Sequence, residues 1–144
     1  MKLLIIRETA DAEMPAVHGP DDLVAWWRKT LGDLAEEHFY TVFLDSKHKV
    51  LGHFLAAKGT MNAAIVHPRE VFRAAICAGA CAIVMMHNHP SGNESVSEED
   101  HRMTVRMENA GELLGVNVLD HIVLGEAGYI SMREQGLMMP RSGL

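Results

Sequence analysis

A mixed β-sheet packed by two or three helices, of the α/β or α+β class, is the fold this sequence predicts. Three observations carry that expectation. Two runs of aromatic and β-branched residues flank a short polar turn between residues 39 and 55, a wholly apolar run fills residues 80–86, and helical periodicity recurs over residues 68–79 and 97–114.

The elements follow in order. Leu3 to Ile6 is a short apolar run that suits a strand, and the polar stretch Glu8 to Pro20, with Pro15 and Gly19, reads as a loop. Asp21 and Asp22 put negative charge at a helix start, and Leu23, Trp27 and Leu31 recur every four residues until Gly32, so a helix is expected from about 20 to 31. Trp26 and Trp27 are read as core rather than as a binding surface. Phe39 to Leu44, polar Asp45 to Lys49 and Val50 to Leu55 form a hairpin pattern. Pro68 opens the next helix, with His67 expected to help start it; Val71, Phe72, Ala75, Ile76 and Gly79 keep its period. Ala80 to Met86 is most easily a central strand buried on both faces. The polar loop His87 to Val96 leads to a second long helix over about 97–114, with Met103, Met107, Ala110 and Leu114 on one face. Val116 to Leu124 is a strand, Gly125 to Gly128 a turn and Tyr129 to Ser131 a short return strand.

The length of 144 residues suits one compact domain, with residues 1–35 an N-terminal strand, loop and helix packed on a body formed by residues 36–140. A hydrophobic content of 48 % against 22 % charged residues is that of a globular chain. No apolar run approaches the roughly 20 residues of a membrane span. Arg7 and Glu8 interrupt the apolar start before a signal-peptide core forms, so a cytoplasmic location is expected. A net charge of −6 runs against direct DNA binding. Cys77 and Cys81, with no second pair, are read as reduced, buried thiols.

The chemistry concentrates in one place. His87 and His89 lie at the end of the apolar strand, where residues i and i+2 project to the same side. Pro90 keeps His89 extended and Gly92 lets the loop turn. Ser97 and Asp100 follow, and Ser-x-x-Asp before an apolar run is also a helix capping box. Asp100, however, precedes Met103 and Met107 by three and seven residues and shares their inward stripe, where an unpaired carboxylate is costly. A metal held by His87, His89 and Asp100 satisfies it. Two imidazoles and one carboxylate leave a tetrahedral position open, which suits catalytic zinc, one per chain; manganese and iron remain compatible. Water bound there would have its pKa lowered to about 7 and could attack an amide carbonyl. Glu36 and Glu37 both stand as acids near the first hairpin strand, and the residues alone do not choose between them as a general base. His121, beside Asp120, reads first as a core histidine, with orientation of a metal ligand as the alternative. His18, His38, His48, His53 and His101 are read as surface or local hydrogen-bonding residues.

His87-Asn88-His89-Pro90-Ser91-Gly92, with Ser97, Asp100 and Leu119-Asp120-His121-Ile122, resembles the RadC family of the JAMM/MPN metalloprotease-like superfamily. The likeness runs from about Glu37 to Leu137 and takes in Gly59-Thr60 and His67-Pro68-Arg69-Glu70. It implies an MPN/JAB-type, cytidine-deaminase-like three-layer α/β/α fold with His87, His89 and Asp100 holding zinc. It also implies that Glu37, in Glu37-His38-Phe39, is the general base and that the Ser97 hydroxyl steadies the tetrahedral oxyanion. Longer RadC proteins carry an N-terminal helix-hairpin-helix region that this chain is too short to hold. The loop Gly92-Asn93-Glu94-Ser95-Val96-Ser97 departs from the family, which usually has aspartate after the glycine and proline before the serine. The function so implied is zinc-dependent hydrolysis of peptide or isopeptide bonds in an unidentified protein or peptide. A non-catalytic, zinc-stabilised interaction module and a DNA-repair-associated role are the alternatives, and homo-oligomerisation stays open.

Overall fold

A computed structural model of the chain describes residues 4–5, 16–59, 66–90, 92 and 94–140. The order is β1 (Leu4–Ile5), α1 (Pro20–Thr30), β2 (His38–Leu44), β3 (Val50–Lys58), α2 (Pro68–Ala78), β4 (Ala82–Asn88), α3 (Glu98–Leu114), β5 (Asn117–Leu124) and β6 (Tyr129–Ser131). The expected first strand is present at Leu4–Ile5; Leu3, Ile6, most of the expected loop before Pro20, and the motif residues Thr60, Ser91 and Asn93 lie outside the described residues.

The strands form one mixed sheet in the order β1-β3-β2-β4-β5-β6, in which β4 and β5 alone run parallel. Parallel neighbours need a crossover, and α3 supplies it. Side chains alternate across the sheet. On one face Leu23, Val24 and Trp27 of α1 pack against Val42, Leu44, Val84, Met86, Leu119 and Ile122. On the other, Val71 and Phe72 of α2 and Met103 and Met107 of α3 pack against Phe39, Phe43, Ile83 and Met85. The result is the expected three-layer α/β/α sandwich; of the two tryptophans expected in the core Trp27 is fully there, 2 % exposed, and Trp26 is half-buried against the same cluster.

All seven residues of β4 are buried, as its apolar run predicts, but the strand is displaced toward the histidines. Gly79 takes the left-handed conformation (φ 74°) and Ala80 N–H returns to the Ala75 carbonyl, so Ala80 and Cys81 are spent on the turn out of α2. Pairing therefore continues through His87 and Asn88. The cysteines correct the expectation of buried thiols, since both are free and exposed. Val71, Phe72, Ala74 and Ala75 take the inward stripe of α2, which turns Cys77 outward, and Cys81 sits in the turn ahead of the strand. His67 precedes α2 with no side-chain capping bond; its backbone carbonyl accepts from Glu70 N–H instead.

Helix α3 ends at Gly115 and the chain doubles back at once, Val116 N–H bonding to the Gly111 carbonyl. A Cβ on Gly111 would fall inside van der Waals contact of the Val116 carbonyl oxygen and 3.0 Å from Val118 Cγ2. That close approach sets the height of α3 over β5, and so the height of its N-terminus over the end of β4. No helix among the described residues is long and apolar enough to cross a membrane.

Candidate metal centre

Strand alternation decides what faces α3. Ile83, Met85 and His87 occupy that face of β4, and His89, one step past the strand, continues it. The His87 and His89 ring centroids lie 4.8 Å apart, with their Nε2 atoms 2.9 Å from each other. Two facing lone pairs repel, so this approach demands a proton or a cation between the rings. The Phe39 ring, opposite His87 in the β2–β4 register, stacks on it at 5.5 Å and closes one side. The loop beyond is pinned by His89 N–H to the Leu124 carbonyl, Gly92 N–H to the His89 carbonyl and Glu126 N–H to the Gly92 carbonyl.

Asp100 arrives from the first turn of α3. Its Oδ1 lies 3.4 Å from His87 Nε2 and its Oδ2 3.7 Å from His89 Nε2. The capping box is present as well: Asp100 N–H donates to Ser97 Oγ at 3.0 Å and Ser97 N–H to Asp100 Oδ2 at 3.1 Å. Burial pushes the Asp100 carboxyl up, but with His87 in its cationic form the hydrogen bond and charge of that ring, joined by Ser97, outweigh it and hold the group well below the usual carboxylate range.

His87, His89 and Asp100 each offer one donor atom, all within 4.8 Å of one another. Two nitrogens and an oxygen suit zinc, whose bonds of about 2.0–2.2 Å place tetrahedral donors roughly 3.3 Å apart. From His87 Nε2 the separations are 2.9 Å to His89 Nε2 and 3.4 Å to Asp100 Oδ1, with the second carboxylate oxygen 3.7 Å from His89 Nε2, and the chemistry of the donor set fits such an ion.

Glu37 stands outside this cluster. It is half-buried whereas Glu36 is exposed, and extending the Phe39–His87 register by two residues sets it level with His89. Its segment is held by a residue the sequence reading passed over. Asn88, buried on the opposite face from the histidines, accepts from His38 N–H at 2.7 Å and donates to the Glu36 and Leu34 carbonyls at 3.1 and 3.4 Å. The available signal was the burial itself, because an amide inside a sheet must find partners. Ser97 is exposed, and its capping bond engages the oxygen as acceptor, leaving the O–H to donate elsewhere.

His121 is wholly buried, as expected of a core histidine, and its Nε2 lies 2.8 Å from His87 Nδ1. Its Nδ1 lies 2.6 Å from Thr104 Oγ1, and that hydroxyl donates to the Asp100 carbonyl at 2.7 Å. Burial, reinforced by neighbouring His87, holds the His121 pKa well below the ordinary histidine value. Asp120 faces the other way, accepting from His121 N–H, Arg133 N–H and the Ser131 hydroxyl. An open cleft of about 270 Å³, lined by Arg28, Leu34, Asn88, Pro90 and Glu126 among others, runs up to His89.

Comparison with known proteins agrees with this architecture. A chain of the UPF0758 type from Staphylococcus haemolyticus is 44 % identical over 120 residues, covering 83 % of this chain and 53 % of the relative. UPF0758 proteins of Rubrobacter xylanophilus and Methanosarcina acetivorans are 42 % identical over 124 residues and 39 % over 119, covering 86 % and 83 % of this chain and 54 % and 52 % of the relatives. The chain thus spans about half the length of the curated relatives it matches. The family model described as RadC-like JAB domain matches residues 17–137, a span that takes in α1 to α3, β2 to β6 and the His-His-Asp cluster. On that match the chain belongs to the RadC family, as a RadC-like JAB domain.

Proposed function

We propose that this domain is a metal-dependent hydrolase of amide bonds, peptide or isopeptide, using one divalent ion, zinc by preference, held by His87, His89 and Asp100. The observation that carries the reading is the convergence of three donor atoms, from the end of β4, the residue just past it and the first turn of α3. When bound, zinc supplies a Lewis acid that polarises a carbonyl and makes water acidic. The chain's own groups do the rest. Glu37 takes a proton from the attacking water and passes it to the leaving amine, and a general base needs to reach that water rather than the ion, which accords with its place outside the donor cluster. Ser97 directs its O–H to the oxyanion that develops on the carbonyl. Water and proton are shared out as a new carboxylate and a new amine.

One feature favours a second reading. Asp100 belongs to the capping box of α3, so an ion there would also tie β4 to that helix and stabilise a binding module without turnover. A screen of peptide and isopeptide libraries against wild type and Glu37→Gln separates the two. Cleavage by wild type, lost in the variant with zinc content unchanged, is the expected result. Cleavage unaffected by the substitution removes Glu37 from its role, and zinc-loaded protein that cleaves nothing leaves the stabilising role.

A further inference from the structure

We infer that Thr104 and His121 are positioning residues that lock His87 in the one tautomer able to face a cation, through a one-way hydrogen-bond relay ending on a backbone carbonyl. The inference rests on the metal reading above and concerns groups that touch no ion themselves.

Thr104 has one hydroxyl proton, and its Oγ1 reaches the carbonyl of Asp100, four residues back in α3, at 2.7 Å. A carbonyl can only accept, so the proton goes there; the alternative acceptor, Met132 Sδ, is weaker and farther away at 3.5 Å. Oγ1 must then accept at its 2.6 Å contact with His121 Nδ1, which places the His121 proton on Nδ1. A wholly buried imidazole carries only one proton, so His121 Nε2 is bare and accepts from His87 Nδ1 at 2.8 Å. His87 is thereby protonated at Nδ1, and its Nε2 lone pair is aimed at His89 and Asp100.

Direction matters because the chain has only two consistent settings. Reversed, Thr104 would donate to His121 and His121 to His87, putting a proton on His87 Nε2 and closing the site to any cation. The Asp100 carbonyl decides between them. The same residue thus contributes a carboxylate to the cluster and, through its backbone, the terminus that orients the most buried imidazole in it. Outer hydrogen bonds of this kind fix ligand tautomers in metal proteins, and losing one typically weakens metal binding 10- to 100-fold.

The test is a long-range proton–nitrogen correlation spectrum of chelator-treated protein carrying ¹⁵N-labelled histidine, recorded at mildly alkaline pH. It is paired with zinc affinities from chelator competition. His87 and His121 are expected to carry their protons on Nδ1 in wild type. Thr104→Val should release His121 from its fixed tautomer and raise the zinc dissociation constant roughly 10- to 100-fold. Thr104→Ser, which keeps the hydroxyl, should restore both readouts. A wild-type spectrum with the His87 proton on Nε2 overturns the inference, as does Thr104→Val with wild-type tautomers and wild-type zinc affinity. Should Thr104→Val not fold, the wild-type spectrum still decides. That spectrum is recorded without metal or substrate, so a protein that cleaves nothing still gives an answer, and a failed relay leaves the hydrolase reading to its own screen.

Discussion

Asp100→Asn separates the two duties of the residue at the heart of the site. Asparagine keeps a carbonyl oxygen where Asp100 Oδ2 accepts from Ser97 N–H, so the capping geometry survives. The charge is lost from the first turn of α3, a change worth about 0.3–1 kcal/mol at a helix N-terminus. With His87 neutral, metal-free protein should therefore lose about that much, and a cationic His87 facing the carboxylate adds to the loss. The metal-bound state is different, because the carboxylate facing His87 at 3.4 Å and His89 at 3.7 Å supplies the only negative charge in the donor cluster. If its removal weakens binding 100-fold, zinc at 100 times the wild-type dissociation constant loses most of the approximately 2.7 kcal/mol it would otherwise add. For a chain of this length that is on the order of 5–10 °C in melting temperature. Thermal unfolding by circular dichroism, with excess chelator and with zinc, measures both quantities. Asp100→Ala, which also removes the cap, should lower the chelator-treated midpoint further. Equal zinc-induced stabilisation in wild type and Asp100→Asn would refute the assignment of the carboxylate as a ligand.

Two other expectations concern the frame. Gly111→Ala should cost about 1–3 kcal/mol, since its Cβ has no room beneath Val116 and Val118; urea unfolding without metal checks this, and a neutral result would mean α3 is free to rise off β5. Glu108 is buried, one oxygen bonding Met139 N–H and the other without a hydrogen-bond partner among the described residues, and burial pushes its carboxyl up against the opposing pull of the Met139 bond and Arg133. A raised folded-state value means that folding favours the protonated form. This stability contribution is full below the ordinary glutamate range and lost as pH rises through the raised value. The stability of wild type minus that of Glu108→Gln should fall as pH rises from the ordinary glutamate value, about 4.3, through the raised one. A difference that does not change with pH counts against it.

What the sequence makes legible is what depends on local pattern. The hairpin of β2 and β3, the stripes of α2 and α3 and the burial of β4 follow from period and turn residues, and His87 and His89 share a face because a strand repeats every two residues. Asp100 was legible from its place in the Met103 and Met107 stripe. The partners that complete the site were not, because each is brought in by tertiary pairing. Thr104 lies 17 residues from His121, which lies 34 from His87, and no spacing rule links them. Asn88 reads as a spacer between two histidines until the sheet shows that its own face meets the segment before β2. Cys77 and Cys81 sat in apolar neighbourhoods, yet composition does not say which side of a helix or which end of a strand a residue takes.

The capping box and the donor cluster, competing explanations of Ser97 and Asp100 in the sequence, prove compatible for a geometric reason. A carboxylate has two oxygens and about four lone-pair directions. Ser97 N–H uses one of them on Oδ2, which fixes the carboxylate plane while Oδ1 remains turned to His87. The side chain is thereby ordered before any ligand arrives, as His87 is ordered by Phe39 and His121, so an ion entering the cluster has less conformational entropy to remove. The helix start is the scaffold that makes the carboxylate a good ligand. It follows that Ser97→Ala should weaken zinc binding although no Ser97 atom belongs to the donor cluster: the hydroxyl that accepts from Asp100 N–H disappears, the first turn of α3 frays, and the carboxylate loses its orientation. The chelator-competition assay reads that loss directly, and an unchanged zinc affinity in a folded Ser97→Ala protein would show that the cap and the cluster are neighbours without being coupled.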